Sequence, residues 1–207
     1  MKKTLVVGLS LVLAAACGSS NSQQKKEEAA EKAPVATETT KVEPVNEIPK
    51  AVQQPAPKVQ NSMLLGEIEK QDFLSPPFDS WFNSNYDNYT PGTAEIEKIK
   101  TNLKDIDMVR IYMGTWCPDS RREVPQFFKI LEAADYDLDN VQMVAVDRSK
   151  IAPDGSQELY NVFRVPTFIF YRNGKEIGRY VEHSRESIEK DIAKIVSGEA
   201  YKHSYEN

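Results

Sequence analysis

Residues 114–125 read GTWCPDSRREVP, and the side chain there suited to nucleophilic chemistry is Cys117. A thiolate attacks a disulfide sulfur and forms a mixed disulfide. Pro118 fits the first position of a helix, where its missing N–H would have lacked a partner in any case. Cys117 would then stand at a helix N-terminus, among unpaired backbone N–H groups and at the positive end of the helix dipole, both of which favour thiolate over thiol. Asp119 sets a negative charge near the same sulfur while Arg121 and Arg122 pull the other way, and the sequence alone does not sign the sum.

The elements that must position this cysteine follow from spacing. Pro91 marks a helix start, and Ile96, Ile99 and Leu103 recur at helical intervals, predicting an amphipathic helix over 92–104. Met108 to Met113 has the length and β-branched content of a strand, and a helix runs from Pro118 to 134. Val141 to Asp147 is apolar nearly throughout, as in a strand buried on both faces. A loop and short helix around 156–162 lead to two strand-like runs joined by Asn173-Gly174, a hairpin signal. Ser184 is the expected N-cap of a last helix whose Ile188, Ile192 and Ile195 share a face, with Gly198 just past its end. This order describes an α/β fold, a mixed sheet with helices on both faces. Ahead of it, Phe73, Phe78, Trp81, Phe82, Tyr86 and Tyr89 crowd among Pro and Asn turn signals without steady helix or strand spacing. They are expected to pack as an extension over the core.

The 207 residues are uneven along their length. Residues 1–17 open with Lys2 and Lys3, run apolar from Leu5 to Leu13, and close with Ala14, Ala15 and Ala16 before Cys17. That is the pattern of an export signal, and its apolar run is shorter than the roughly 20 residues of a membrane-spanning helix. The placement of Cys17 resembles the lipobox of bacterial lipoproteins, which implies lipidation of Cys17 and an anchor in a membrane of the bacterial cell envelope. Ala14 stands where that motif usually has Leu, and simple secretion is the other outcome. Residues 18–62 contain no aromatic side chain and cannot bury enough to fold. They are expected to form a tether reaching roughly 35–40 Å as a flexible coil. The net charge of −5 comes without a basic block, which argues against nucleic acid as a partner. His183, His203 and Cys117 lack the spacing of a metal site, and no cofactor is implied.

Across 92–198 the chain resembles the thioredoxin superfamily. Trp116-Cys117 follows the first core strand and opens a helix, Pro125 stands eight residues after the cysteine, Val165-Pro166-Thr167 begins a strand, and Arg172-Asn173-Gly174-Lys175 forms the turn after it. The resemblance implies that Pro166 is cis and lies against Cys117, leaving the backbone of Val165 to pair with an extended client. Trp116, Pro118, Asp119 and Ser120 complete the active-site motif. Three departures stand out. Ser120 replaces the second cysteine; Ile111, six residues before Cys117, replaces the usual buried Asp; Glu182, followed by His183, replaces a Gly. The last pair either shapes the groove or ends a solvated strand.

The chain thus divides into a lipoprotein-type signal (1–17), a tether (18–62), an N-terminal extension (63–91) and a thioredoxin-like domain (92–207). The expected function is monothiol thiol–disulfide exchange. Cys117 would form mixed disulfides with client proteins or low-molecular-weight thiols, released by a thiol of the client or by an unidentified thiol reductant. The alternative is a non-catalytic module that keeps the groove for protein binding. A sensor or peroxidase cycling through sulfenic acid is a third reading, for which no dedicated peroxide-binding motif is present.

Overall fold

The computed structural model describes residues 58–60 and 62–206. The expected signal, Cys17 and the tether as far as residue 57 lie outside the described residues. Strand β1 (Lys58–Gln60) pairs antiparallel with strand β2 (Met63–Ile68), so the last residues of the expected tether join a sheet. That pairing uses backbone groups and leaves Val59 exposed, which is why composition gave no sign of it. A 3₁₀ turn (Lys70–Phe73) follows, then helix α1 (Asp79–Asp87), helix α2 (Thr93–Leu103) and strand β3 (Met108–Met113). Helix α3 (Pro118–Ala133) leads through a second 3₁₀ turn to strand β4 (Val141–Ala145) and the single-turn helix α4 (Ser156–Leu159). Strands β5 (Thr167–Arg172) and β6 (Lys175–Val181) precede helix α5 (Ile188–Ser197).

The strands lie in the order β1-β2-β4-β3-β5-β6, parallel between β3 and β4 and antiparallel elsewhere. Side chains alternate across the sheet, as the period of two requires. Val109, Ile111, Met113, Phe168 and Phe170 join one large cluster with the apolar sides of α1, α2, α3 and α5. Tyr112, Val144, Ile169 and Tyr171 join a smaller cluster with Tyr160, Val162, Val165 and Cys117. Helices therefore lie on both faces, unequally, since α4 is the one helix on the second face and its Ser156 hydroxyl bonds that of Tyr112 at 2.9 Å.

Most predicted elements fall within a residue or two of those observed. At the β5–β6 turn, Asn173 and Gly174 both take positive φ, 53° and 72°, the hairpin geometry their pairing predicts. Strand β4 stops at Ala145, because the Asp147 carboxylate accepts the N–H groups of Ser149 and Ile151 at 2.8 and 2.9 Å and turns the chain. The cap of α5 is Ser187 rather than Ser184. Asp191 accepts the N–H groups of Arg185 (2.6 Å) and Glu186 (3.3 Å), holding 184–187 outside the helix, while the Ser187 hydroxyl accepts from the Lys190 N–H.

The aromatic extension holds more order than its spacing suggested. Phe78, Phe82 and Tyr86 recur every four residues and lie on or beside α1, where Phe82 stacks on Phe73 with centroids 5.2 Å apart and meets Phe128 of α3 at 6.2 Å. Phe73, Phe78 and Phe82 are buried in the main cluster, and Trp81, Tyr86 and Tyr89 pack against it. Strand β2 pairs directly with β4, so the extension supplies a sheet strand as well as cover. Phe82→Ala is expected to cost about 3–5 kcal/mol, as truncation of a buried Phe does, measured by urea unfolding. A loss below about 1 kcal/mol would mean that the extension rests on an already complete core.

Candidate functional site

Cys117 is the N-cap of α3, in extended conformation, with Pro118 as the first helical residue. Its N–H donates to the Gly114 carbonyl at 2.9 Å and its carbonyl accepts the Arg121 N–H at 3.0 Å, closing the first turn. The sulfur lies 3.4 Å from the Val165 carbonyl oxygen, to which the thiol S–H donates. Cys117 is only 6% exposed, so a partner reaches it along a narrow approach.

The loop against the sulfur is fixed by its own bonds. The Val165–Pro166 peptide is cis. The Thr167 hydroxyl donates to the Arg164 carbonyl at 2.7 Å, and the Glu182 N–H donates to the Pro166 carbonyl at 2.7 Å, carrying the β5–β6 pairing one step past the strands. Glu182 adopts φ +64°, a left-handed conformation that side-chain-bearing residues seldom take. Its carboxylate pairs with Arg164 at 3.2 Å, which ties Glu182 to the cis-proline loop.

Trp116 is half-buried, its indole N–H donating to the Val146 carbonyl at 3.0 Å and the Arg148 guanidinium lying 5.8 Å from its ring. Gly114 allows this placement, since a Cβ there would stand 2.6 Å from the ring. Asp119 is neutralised by Arg122 at 2.8 Å. Arg121 turns away, donating to the Thr115 carbonyl and lying 5.8 Å from the Trp81 ring. The Thr115 hydroxyl in turn accepts the Leu64 N–H at 3.2 Å, which ties the loop before Cys117 to β2 of the extension.

Ser120 is fully buried, and its hydroxyl oxygen accepts the Gly114 N–H at 3.2 Å. The hydroxyl therefore braces the 114–117 loop against the helix. Ile111, on β3, is equally buried in the main cluster.

Glu123 was not singled out by sequence reasoning. It is 4% exposed on α3, bonded to the Tyr180 hydroxyl and to Arg122, both at 2.9 Å. Burial holds its carboxyl above the ordinary glutamate range, against the pull of Tyr180 and Arg122. Burial and the same carboxylate push the Tyr180 hydroxyl far up. An exposed-looking Arg-Arg-Glu run hid this residue; its place one turn from Phe127, on the face of α3 that meets the sheet, is the signal that marks it.

Residues 93–194 match the family model described as Thioredoxin. Thioredoxin H2 of Arabidopsis thaliana is 27% identical over 84 residues, 41% of this chain and 59% of that protein, so the chain spans about three fifths of the relative's length. Among solved structures, mitochondrial thioredoxin 3 from Saccharomyces cerevisiae in its oxidized form is 28% identical, with a TM-score of 0.27 over 46% of this chain and 84% of that one. A protein of unknown function from Pseudomonas aeruginosa is 15% identical, with a TM-score of 0.42 over 64% and 93%. Residues 93–194 form a domain of the thioredoxin superfamily. The chemistry such a domain suggests is thiol–disulfide redox in general.

The folded protein binds the Glu123 proton more tightly than the unfolded chain does. The stability this group contributes is therefore full below the unfolded glutamate pKa, about 4.3, and is lost as pH rises through the raised folded value. Glu123→Gln removes that loss. Urea midpoints measured between pH 4 and pH 7 should move in favour of the variant, relative to wild type, as pH rises.

Proposed function

We propose that this protein carries out monothiol thiol–disulfide exchange in the bacterial cell envelope, with Cys117 as its one nucleophile. The observation that carries this reading is the meeting of three features at one sulfur: the N-terminus of α3, the carbonyl of Val165 before a cis proline, and a buried serine in place of a resolving thiol. In the first step the Cys117 thiolate attacks one sulfur of a client disulfide. The S–S bond breaks, the leaving client thiolate takes a proton from solvent, and Cys117 is held in a mixed disulfide.

Resolution must come from outside the motif. A second thiol, from the client or from a small thiol, attacks the mixed disulfide and releases Cys117. When the client supplies it, the cycle rearranges disulfides without net electron transfer. Trp116, next to the nucleophile in the chain, is half-buried and packs against the cluster that holds Cys117, so apolar surface adjoins the sulfur where a polypeptide client would rest. The backbone of Val165, beside the sulfur, is the edge along which the client's backbone would run. Export and a lipid on Cys17 complete the proposal, with the client class being envelope proteins and small thiols.

The test is trapping. Full-length protein incubated with disulfide-containing envelope extract and separated without reductant should give adducts that Cys117→Ser abolishes and that a small thiol clears. Absence of Cys117-dependent adducts, with clients still retained by the fold, would establish the non-catalytic binding module instead. Ser120→Cys supplies a resolving thiol within the same helical turn and should shorten adduct lifetime by on the order of 10-fold or more, because resolution becomes intramolecular. Metabolic labelling with a palmitate analogue should mark the wild type and fail on Cys17→Ala; equal labelling of both would end the anchoring proposal.

A further inference from the structure

The chain after α5 returns to the rim of the Cys117 groove. The Tyr201 hydroxyl donates to Asp191 at 3.2 Å and the Ser204 hydroxyl to the His183 carbonyl at 2.7 Å, which fixes its path. Tyr205 then lays its ring 3.8 Å from the guanidinium carbon of Arg164 and edge-on to His183, with centroids 5.7 Å apart. Its hydroxyl donates to the Glu182 carboxylate that also pairs with Arg164.

These partners belong to the cis-proline loop. Arg164 immediately precedes Val165, whose carbonyl receives the Cys117 thiol, and the N–H of Glu182 holds the carbonyl of Pro166. Tyr205 thus lies against Arg164 and Glu182 at the cis-proline loop, the wall along which an extended client would have to run. Its ring is 41% exposed and the Arg164 side chain 45% exposed, so its contacts are those of a wet surface, individually weak and open to displacement.

We propose that Tyr205 determines which disulfides Cys117 can exchange with. Small disulfides reach the sulfur past the ring, whereas a polypeptide lying along the cis-proline loop must first lift the tyrosine from Arg164 and Glu182. Arg164 and Glu182 are the groups such a polypeptide then inherits, an aromatic side chain on Arg164 and a hydroxyl or amide on Glu182 being the replacements that cost least. The inference rests on Cys117 being the exchange nucleophile, and it adds the substrate class to that reading.

The experiment compares two reagents that release the same chromophore. One is dithiobis(nitrobenzoate); the other is a ten-residue peptide whose one cysteine is capped as a disulfide with thionitrobenzoate. In each, Cys117 thiolate attacks, the S–S bond breaks, and thionitrobenzoate leaves as the coloured thiolate, with Cys117→Ser subtracting any release that does not come from Cys117. For full-length Tyr205→Ala the ratio of peptide rate to small-reagent rate should rise about fivefold over wild type. Tyr205→Leu, which loses both the ring over Arg164 and the hydroxyl on Glu182 while leaving those two groups in place, should raise it in the same direction and serves if the first variant folds poorly. An unchanged or lowered ratio in both variants overturns the proposal and leaves the exchange reading standing. No Cys117-dependent release from either reagent overturns both.

Discussion

Helix α3 is fastened to strand β5 at two heights. Deep in the main cluster, Phe127 stacks on Phe168 with centroids 4.2 Å apart and planes within 9° of parallel. At the mouth, Cys117 meets the carbonyl of Val165, one residue ahead of the cis proline. The stack sets the distance between the two elements and the sulfur sits where that distance leaves just room for an S–H···O contact. Strand β3, paired on both edges and buried at every residue, delivers the loop into this gap and prevents either element from drifting. What the groove can do follows from this one docking, because a sulfur at the N-terminus of a helix is useful to a client only if the backbone it must lie along is held at a fixed separation.

Polar groups around the site are satisfied in ways that stiffen it. Ser120, Thr115 and Arg121 all bond the backbone of the segment 114–115 or its neighbour in β2, and Asp119 is neutralised within the same helical turn. Buried groups left unpaired would each cost about 1–3 kcal/mol, so these bonds select one loop conformation. The Leu64–Thr115 bond also makes the N-terminal extension part of the site's support. Strand β2 is thereby coupled to the position of the nucleophile.

Much of this was legible in the sequence, for identifiable reasons. The residues around Cys117, the Val165-Pro166 pair and the Asn173-Gly174 turn act through local geometry, and local geometry is what short motifs encode. The elements with regular apolar spacing were legible for the same reason. Strand β1 was hidden because its partner supplies backbone hydrogen bonds alone, and α1 because Pro76, Pro77 and Asn residues masked a four-residue aromatic repeat. Glu123 and Tyr205 were hidden for a different reason. Each takes its meaning from partners far along the chain, Tyr180 in one case and Arg164 with Glu182 in the other, and no spacing within a single element announces such a pairing.

The brace from Ser120 to Gly114 has a consequence for what the domain can carry. Where a second sulfur would be stored, an oxygen is already committed to holding the loop, and Cys117 is the free cysteine among the described residues. A dithiol that closes to an internal S–S bond gives up two reducing equivalents at one encounter and regains them at the next. With Cys117 the one cysteine among its described residues, the domain holds no such internal pair, and a disulfide formed there would carry its second sulfur on a partner. Its redox state at any moment is that of whatever molecule is attached to it.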